Sequence, residues 1–244
     1  MKRLALAVAF SVCAGSAAFA ADLPVAPTPR APATYVPAAV PYFSWTGIYV
    51  GINGGYGVGD SNWNAPAGVT TPGGTPLFGS TGNFSTDGFL VGGTIGGNYQ
   101  FGQFVLGIEG DWDWQNLNGT YTGAGVACGA GCETKSDWLA TVRGRAGYAF
   151  DRFLVYGTAG GAFGNLQAGY VPTGTFASST QIGWTAGGGV EYAFTPNLTA
   201  KVEYLYVDLG TMSCSTSCGV ATGTPISVSL TENVVRAGIN YKFW

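Results

Sequence analysis

Phe104-Val105-Leu106-Gly107-Ile108-Glu109-Gly110-Asp111-Trp112-Asp113-Trp114-Gln115 alternates side by side. Phe104, Leu106, Ile108, Trp112 and Trp114 share one parity; Glu109, Asp111, Asp113 and Gln115 share the other. A period of two is the signature of a β-strand, whose successive side chains point to opposite faces. The strand has one wholly apolar face and one acidic face. A strand on a water-washed sheet turns its polar side outward, but its solvent face is rich in Lys and Glu. Here the polar parity of the chain is mostly Gly, Thr and Asn with a few charges.

The same division recurs. Trp138, Ala140, Val142, Ala146 and Tyr148 oppose Thr141, Arg143 and Arg145. Ile182, Trp184, Ala186, Val190, Tyr192 and Phe194 oppose Thr185 and Glu191. Val235, Ala237, Ile239, Tyr241 and Phe243 oppose Glu232, Arg236, Asn240 and Lys242. One stretch resists orientation: Phe153, Val155 and Phe163 lie on one parity, Leu154 and Tyr156 on the other.

Eight such segments follow one another, at 45–58, 87–100, 104–116, 136–149, 153–164, 181–194, 198–210 and 231–243. Each is long enough to cross a bilayer as a tilted strand, which takes roughly 9–11 residues. Their connections alternate: Phe101-Gly102-Gln103, Phe150-Asp151-Arg152 and Thr195-Pro196-Asn197 are tight, whereas 59–86, 117–135, 165–180 and 211–230 are long. The expected fold is all-β, an eight-stranded antiparallel transmembrane β-barrel with short periplasmic turns and four long extracellular loops. An even strand count puts both chain ends in the periplasm.

Composition supports the membrane reading. Charged residues are 9% of the 244, aromatics 14%, and Gly numbers 41. Soluble domains hold about 25% charged residues and about 7% Gly. After the first twenty residues no run of 18 apolar residues occurs, so no helix of the inner-membrane kind is expected. Tyr148, Phe150, Tyr192, Phe194, Tyr241 and Phe243 fall at periplasmic strand ends, and Trp112, Trp114, Trp138 and Trp184 near the outer ends. Those are the places of the two interfacial aromatic belts.

Residues 1–20 read as a secretory signal peptide: Lys2 and Arg3, an apolar run from Leu4 to Val12, then Ala18-Phe19-Ala20 before the cut. Residues 21–44 read as a Pro/Ala-rich periplasmic linker, and 45–244 as the barrel. Loss of Lys2 and Arg3 leaves 8 basic and 13 acidic residues, a balance of −5, which argues against nucleic acid as a partner.

An eight-strand bore is filled by its own side chains. With the apolar parity toward lipid, the inward set holds Glu109, Asp111, Asp113, Glu191, Glu203 and Glu232 against Arg143, Arg145, Lys201, Arg236 and Lys242. Buried ions must be paired. The tight turn at 195–197 places Glu191 near Lys201, and alignment of the third and fourth strands brings Glu109 and Asp111 near Arg145 and Arg143. A structural plug is the expectation; a narrow ion path is the alternative.

After the signal four cysteines remain, Cys128 and Cys132 in the second long loop, Cys214 and Cys218 in the fourth. An exported chain meets an oxidising compartment, which favours disulfides, here 128–132 and 214–218; pairing between the loops is the other option. A thiolate metal site is disfavoured, and no cofactor is expected. The chain has no His. No Ser-centred nucleophile motif stands out, and Gly92-Gly93 and Gly187-Gly188-Gly189 lie inside strands, so they are not phosphate loops. An enzyme is not expected.

Three stretches carry a resemblance. Ala21-Asp22-Leu23-Pro24 leads through the linker into Phe43-Ser44-Trp45-Thr46-Gly47-Ile48-Tyr49-Val50-Gly51. The middle holds Trp138-Leu139-Ala140-Thr141-Val142-Arg143-Gly144-Arg145-Ala146-Gly147-Tyr148. The end reads Val202-Glu203-Tyr204-Leu205-Tyr206-Val207-Asp208-Leu209-Gly210, then Arg236-Ala237-Gly238-Ile239-Asn240-Tyr241-Lys242-Phe243. The mature chain resembles the outer-membrane immunogenic proteins of alphaproteobacteria, small barrels of the porin superfamily. The resemblance implies a surface protein of the cell outer membrane, with structural or host-contact roles and no agreed catalytic residues. Its partners would be outer-membrane lipid and lipopolysaccharide, the barrel-assembly machinery, and a host or surface ligand at the loops. The assembly machinery reads a terminal aromatic; here Tyr241 and Phe243 are followed by Trp244, which shifts the last parity by one. A small-solute channel and a ligand- or haem-binding receptor remain the rival functions.

Overall fold

The computed structural model describes residues 43–70, 74, 76–123, 131–171, 174–214 and 225–243, the side chains of residues 77 and 78 apart. Residues 1–42, Cys128, Cys218 and Trp244 lie outside them, and with them the signal peptide, most of the linker and the last residue. Eight strands run in chain order: β1 Gly47–Thr70, β2 Pro76–Phe101, β3 Phe104–Tyr121, β4 Cys132–Phe150, β5 Phe153–Tyr170, β6 Thr175–Ala193, β7 Leu198–Cys214 and β8 Ile226–Lys242. Each pairs antiparallel with its neighbours, and β8 returns to β1, so the sheet closes into a barrel.

The three tight turns lie where the sequence places them. Gly102, between β2 and β3, sits at φ +62°, a left-handed conformation that a residue without Cβ adopts freely. Asp151 takes the same role between β4 and β5 at φ 54°, a position Asp tolerates better than most residues.

Parity decides what faces out. Ile52, Ile108 and Ile182 are 70%, 71% and 74% exposed, while Glu109, Arg143 and Lys201 on the opposite faces of their sheets are 3%, 1% and 2% exposed. An outer surface of bare isoleucine is stable only in hydrocarbon. The unoriented fifth segment follows suit: Leu154 and Tyr156 are buried in the bore, and Phe153 and Val155 face out.

The strands outrun their expected limits. β1 and β2 stay paired up to Thr70↔Pro76, β4 begins at Cys132, and β8 begins at Ile226. Much of the four long connections is therefore paired hairpin. The chemistry of the faces reverses there. In β8 the inward series is Asn240, Arg236, Val234, Glu232, Leu230 and Val228, so the bore turns apolar where the outer face turns to Ser227 and Ser229. An apolar-outward pattern ends at the membrane edge although the strand continues. Register shifts between Trp114 and Leu117 in β3 and between Asp208 and Thr211 in β7 mark that level.

The bore thus has three layers. Trp45, Val105, Ala149, Leu154, Tyr156 and Ala193 form a periplasmic floor. The charged side chains fill the middle. Above them, Trp63, Leu90, Leu117, Leu139, Leu166, Leu205, Leu209, Val228 and Leu230 belong to an apolar core between the extracellular half-strands.

Arginine placed at Ile108, midway between Phe104 and Trp112, should cost about 2–4 kcal/mol in reversible urea unfolding from phospholipid vesicles. The same substitution at Thr120, exposed above the tryptophans, should cost about 0–1 kcal/mol. Equal and small losses would mean that Ile108 faces water.

Candidate functional site

The bore is narrow because eight strands enclose it, and its inward residues divide into long charged side chains and small ones. Glycines on the inner face give the long chains their room. A Cβ on Gly55 would lie 2.7 Å from Cβ of Arg236, and one on Gly96 would strike the ring of Tyr49. At these inner-face positions glycine is therefore a packing requirement of the long side chains.

β3 supplies three acids in a row, Glu109, Asp111 and Asp113, and β4 supplies Arg143 and Arg145 opposite them. Arg143 reaches Glu109 at 2.6 Å, Asp111 at 2.5 Å and, across the bore, Glu203 of β7 at 2.9 Å. Arg236 of β8 reaches Glu203 at 2.7 Å, Asp111 at 3.0 Å and Asp113 at 2.8 Å. Lys201 of β7 reaches Glu109 at 2.8 Å. Arg145 holds Glu191 of β6 at 2.8 Å and lies 3.6 Å from Glu109. These contacts tie the β3–β4 wall to the β6–β7–β8 wall through the middle of the barrel.

Uncharged groups complete the cage. Tyr49 donates to Glu109 at 2.8 Å, and Tyr156 to Glu203 at 3.2 Å. The guanidinium of Arg145 lies 3.9 Å from the centre of the Tyr156 ring. Thr94 and Thr141 each donate to Asp111 at 2.8 Å, and Thr199 and Asn240 donate to Glu191 at 2.5 and 2.9 Å. Ionised carboxylates out of water need such additional donors, because a single partner leaves lone pairs unsolvated. Sequence reading missed Tyr49, Tyr156, Thr94 and Thr199 as members. For Tyr49, Thr94 and Thr199 the signal was parity, each sharing the inward phase of its strand; Tyr156 lies on the segment whose parity the sequence leaves open.

Four expectations are corrected. Glu191 and Lys201 are register partners across the β6–β7 turn, but Glu191 gives its charge to Arg145 and Lys201 to Glu109. Neighbouring backbones do not choose the partner; long side chains reach across a narrow bore as easily as along its wall. Lys242 does not join the ionic layer. Its ammonium donates to the carbonyl of Ser44 and lies 4.4 Å from the Phe43 ring, so it clamps the entering chain at the periplasmic mouth. Trp45, expected as the first strand residue, precedes β1 and plugs the floor, with its indole N–H on the carbonyl of Asp151 at 3.0 Å. Glu232 sits above the layer, wholly buried, with Gln115 donating at 3.3 Å and no cation within 4.0 Å among the described residues.

Cys132 and Cys214 are both buried at the extracellular end of the bore. Among the described residues, no cluster of three or more His, Cys, Asp or Glu has the arrangement of a metal site. Tyr241 and Phe243 face outward at the periplasmic end of β8 with ring centres 5.4 Å apart.

Comparison with known proteins agrees with this architecture. Residues 5–243 match the family described as outer membrane protein beta-barrel domain. The chain is 35% identical to a 31 kDa outer-membrane immunogenic protein of Brucella melitensis, with 100% of both chains covered. It is 36% identical to a 22 kDa outer membrane protein of Rhizobium leguminosarum bv. viciae, covering 83% of this chain and 80% of the relative. Among solved structures, the outer membrane protein OprG from Pseudomonas aeruginosa aligns at 16% identity with a TM-score of 0.48, over 81% of this chain and 96% of OprG.

The cage sets a stability test. Arg236→Met removes the cation that pairs with Asp113 and should cost about 3–5 kcal/mol in urea unfolding. Asp113→Asn on that background should return part of the loss. In parallel cycles, Lys201→Met should couple more strongly to Glu109→Gln, its direct ion partner, than to Glu191→Gln, which it reaches only through Glu109 and Arg145. Simple additivity of Arg236 with Asp113 would mean that water screens them.

Proposed function

The chain belongs to the outer membrane protein beta-barrel domain family, and from that premise we propose a closed structural barrel that carries four extracellular hairpins to the cell surface, without conducting solute and without catalysing a reaction. One observation carries this reading: the ionic layer across the bore lies between two apolar layers. A hydrated path through the barrel would have to open an apolar ceiling, a paired layer of charges and an aromatic floor. The relatives named as immunogenic outer-membrane proteins support a role at the surface.

The same reading gives the buried carboxylates a structural task. A pair working as acid and base needs access to substrate. Glu109, Asp111, Asp113, Glu191 and Glu203 are each engaged by Arg or Lys and shut away from both ends. The chain also lacks the His on which much acid–base chemistry at neutral pH relies.

Residues 1–20 serve as the export signal and 21–44 as the periplasmic linker in this scheme. Outer-membrane lipid and lipopolysaccharide surround the apolar wall. The assembly machinery reads the terminal Tyr241, Phe243 and Trp244, and a host or surface ligand meets the hairpins.

Planar-bilayer recording of the refolded protein tests closure: stable membranes without discrete conductance steps are expected. Reproducible steps at neutral pH would replace the plug with a narrow channel.

Disulfides 128–132 and 214–218 complete the proposal for the hairpins. Non-reducing peptide mapping should recover both short crosslinked peptides. Crosslinks between the two loops would keep the oxidation and refute the pairing, whereas four free thiols would refute both.

A further inference from the structure

Among the described residues, Glu232 is the acid of the bore that no cation approaches within 4.0 Å; Glu109, Asp111, Asp113, Glu191 and Glu203 all have one. It stands on β8 between Val234 and Leu230, with Val207 of β7 as a register partner, and all three belong to the apolar core of the extracellular half. Its outward neighbours on the strand are Thr231 and Asn233, so this stretch stands above the apolar band of the wall. The undescribed residues beyond Arg30 contain no Lys or Arg, so no loop brings it a cation. One donor reaches the carboxylate: Gln115 of β3, at 3.3 Å from Oε1 and tied also to Ser136 of β4 at 2.7 Å. Oε2 is buried without a partner, and so is the hydroxyl of Thr86 on β2. Gly59 of β1 is the register partner of both residues. A Cβ there would lie 2.6 Å from Oγ1 of Thr86 and 3.5 Å from Cγ of Glu232, so the glycine lets the two side chains meet across β1.

An ionised carboxylate accepts at both oxygens and donates at neither. Ionised, Glu232 would be an uncompensated charge in an apolar core, and such a group neutralises instead. Neutral, its Oε2–H needs an acceptor, and the Thr86 hydroxyl is an unclaimed one. We propose that Glu232 carries a proton at neutral pH and latches β8 to β2 through the Thr86 hydroxyl, so that loss of this proton to alkaline solvent loosens the extracellular half of the barrel. A metal ion fits the place poorly, since two free oxygens fall far short of the shell of about six to eight that Ca2+ or Mg2+ requires. The groups that face Glu232 do not substitute for the proton. Arg236 on the same strand and Asp113 of β3 lie below it and hold each other at 2.8 Å. Gly59, Thr86, Ser136 and Val207, from β1, β2, β4 and β7, do not titrate. Neither residues 158–169 of β5 nor 175–190 of β6 include a titratable side chain. Asp60, Asp87 and Asp208 lie on the outer parity, and Glu133 is paired with Lys135 at 3.0 Å. Tyr121, Cys132 and Cys214 sit at the far strand ends of the same core.

The test uses the refolded full chain in phospholipid vesicles, with Glu232→Gln as the neutral isostere. At neutral pH the infrared spectrum of the wild type should show a protonated-carboxyl C=O band that Glu232→Gln lacks. Raising the pH should remove this band. In step with its loss, hydrogen exchange should quicken at residues 57–62 and 226–234 but not at 104–112, and Glu232→Gln should show no such response. An unfolded Glu is already ionised in this window, so folding takes up a proton. The folded-to-unfolded ratio of the wild type relative to Glu232→Gln should therefore fall about tenfold per pH unit, then level off once the folded state ionises. Thr86→Val keeps the shape and removes the acceptor, and should move the loss of the band to lower pH; this arm stands whether or not Glu232→Gln refolds. An acid band common to both proteins, a relative stability independent of pH, or unchanged exchange would each overturn the proposal. So would a band lost at higher pH in Thr86→Val, which makes the hydroxyl a donor to the carboxylate. A Glu232-dependent stabilisation by Na+ or Ca2+ at constant ionic strength would put a metal ion in the place of the proton and overturn it too.

Discussion

Hydrocarbon does not solvate an ion, and a bore eight strands wide holds little water. Together these constraints leave each charge at the level of the membrane a single kind of environment, inside the barrel and against an opposite charge. Glu109 shows how strict the demand is. Its carboxylate faces Arg143, Lys201, Arg145 and the hydroxyl of Tyr49, groups drawn from β4, β7 and β1. The barrel closes in chain order by backbone hydrogen bonds, but the bore is set by these side chains. Arg143 and Arg236 each contact both β3 and β7, so the walls cannot slide a register step without separating several pairs at once. Partly satisfied ion networks are costly, so the network favours one register over its neighbours.

That dependence explains the glycines. A strand that faces lipid on one side has no reason to avoid side chains on the other, yet β1 places Gly51, Gly55 and Gly59 on the inward parity. Each sits beside a long or polar inward neighbour, Asn240, Arg236 and Thr86. Large side chains on adjacent strands cannot share the axis of so narrow a barrel. At these inward positions glycine is not a source of flexibility: it leaves the room that the longer side chain of the neighbouring strand fills.

The faces of the membrane part were legible because two requirements coincide there: period two from the pleat, and apolar side chains on the outer phase. β3, β4, β6 and β8 could be oriented on that basis from Ile108, Val142, Ile182 and Ile239 alone. The fifth segment could not, because Leu154 and Tyr156 are apolar residues pointing inward, into the floor. The extracellular continuation was hidden for a related reason. Above the tryptophans the outer face meets water and the bore fills with Leu166, Leu205, Val228 and Leu230, so a reader following outward apolarity loses the strand even where, as in β5 and β8, it continues in phase; in β7 the register shift between Asp208 and Thr211 changes the phase as well. The partners inside the cage were hidden for another. Backbone register follows from a turn such as 195–197, and it does pair Glu191 with Lys201, but a side chain long enough to span the bore selects its partner in three dimensions.

The layering has a consequence for surface exposure. In the membrane the barrel stabilises itself with charge inside and apolar residues outside; beyond it, with apolar residues inside and polar residues outside. The second arrangement is that of a soluble β-barrel, and it lets the hairpins stand in water as ordered sheet rather than as loops that depend on lipid. β1 and β2 carry this furthest, remaining paired to Thr70 with Trp63 buried beneath them and its indole N–H on Thr134 of β4 at 3.0 Å. β6 departs from it. Its upper strand, Thr175–Gly183, has a single ladder among the described residues, with β5, and meets the apolar core only through the half-buried Ala177. The barrel caps its bore at both ends, yet among the described residues two outer half-strands outrun a neighbour: Pro76–Thr86 of β2 has β1 alone as its register partner and Thr175–Gly183 of β6 has β5 alone, because beyond the membrane neither hydrocarbon nor the ionic layer requires every seam to close.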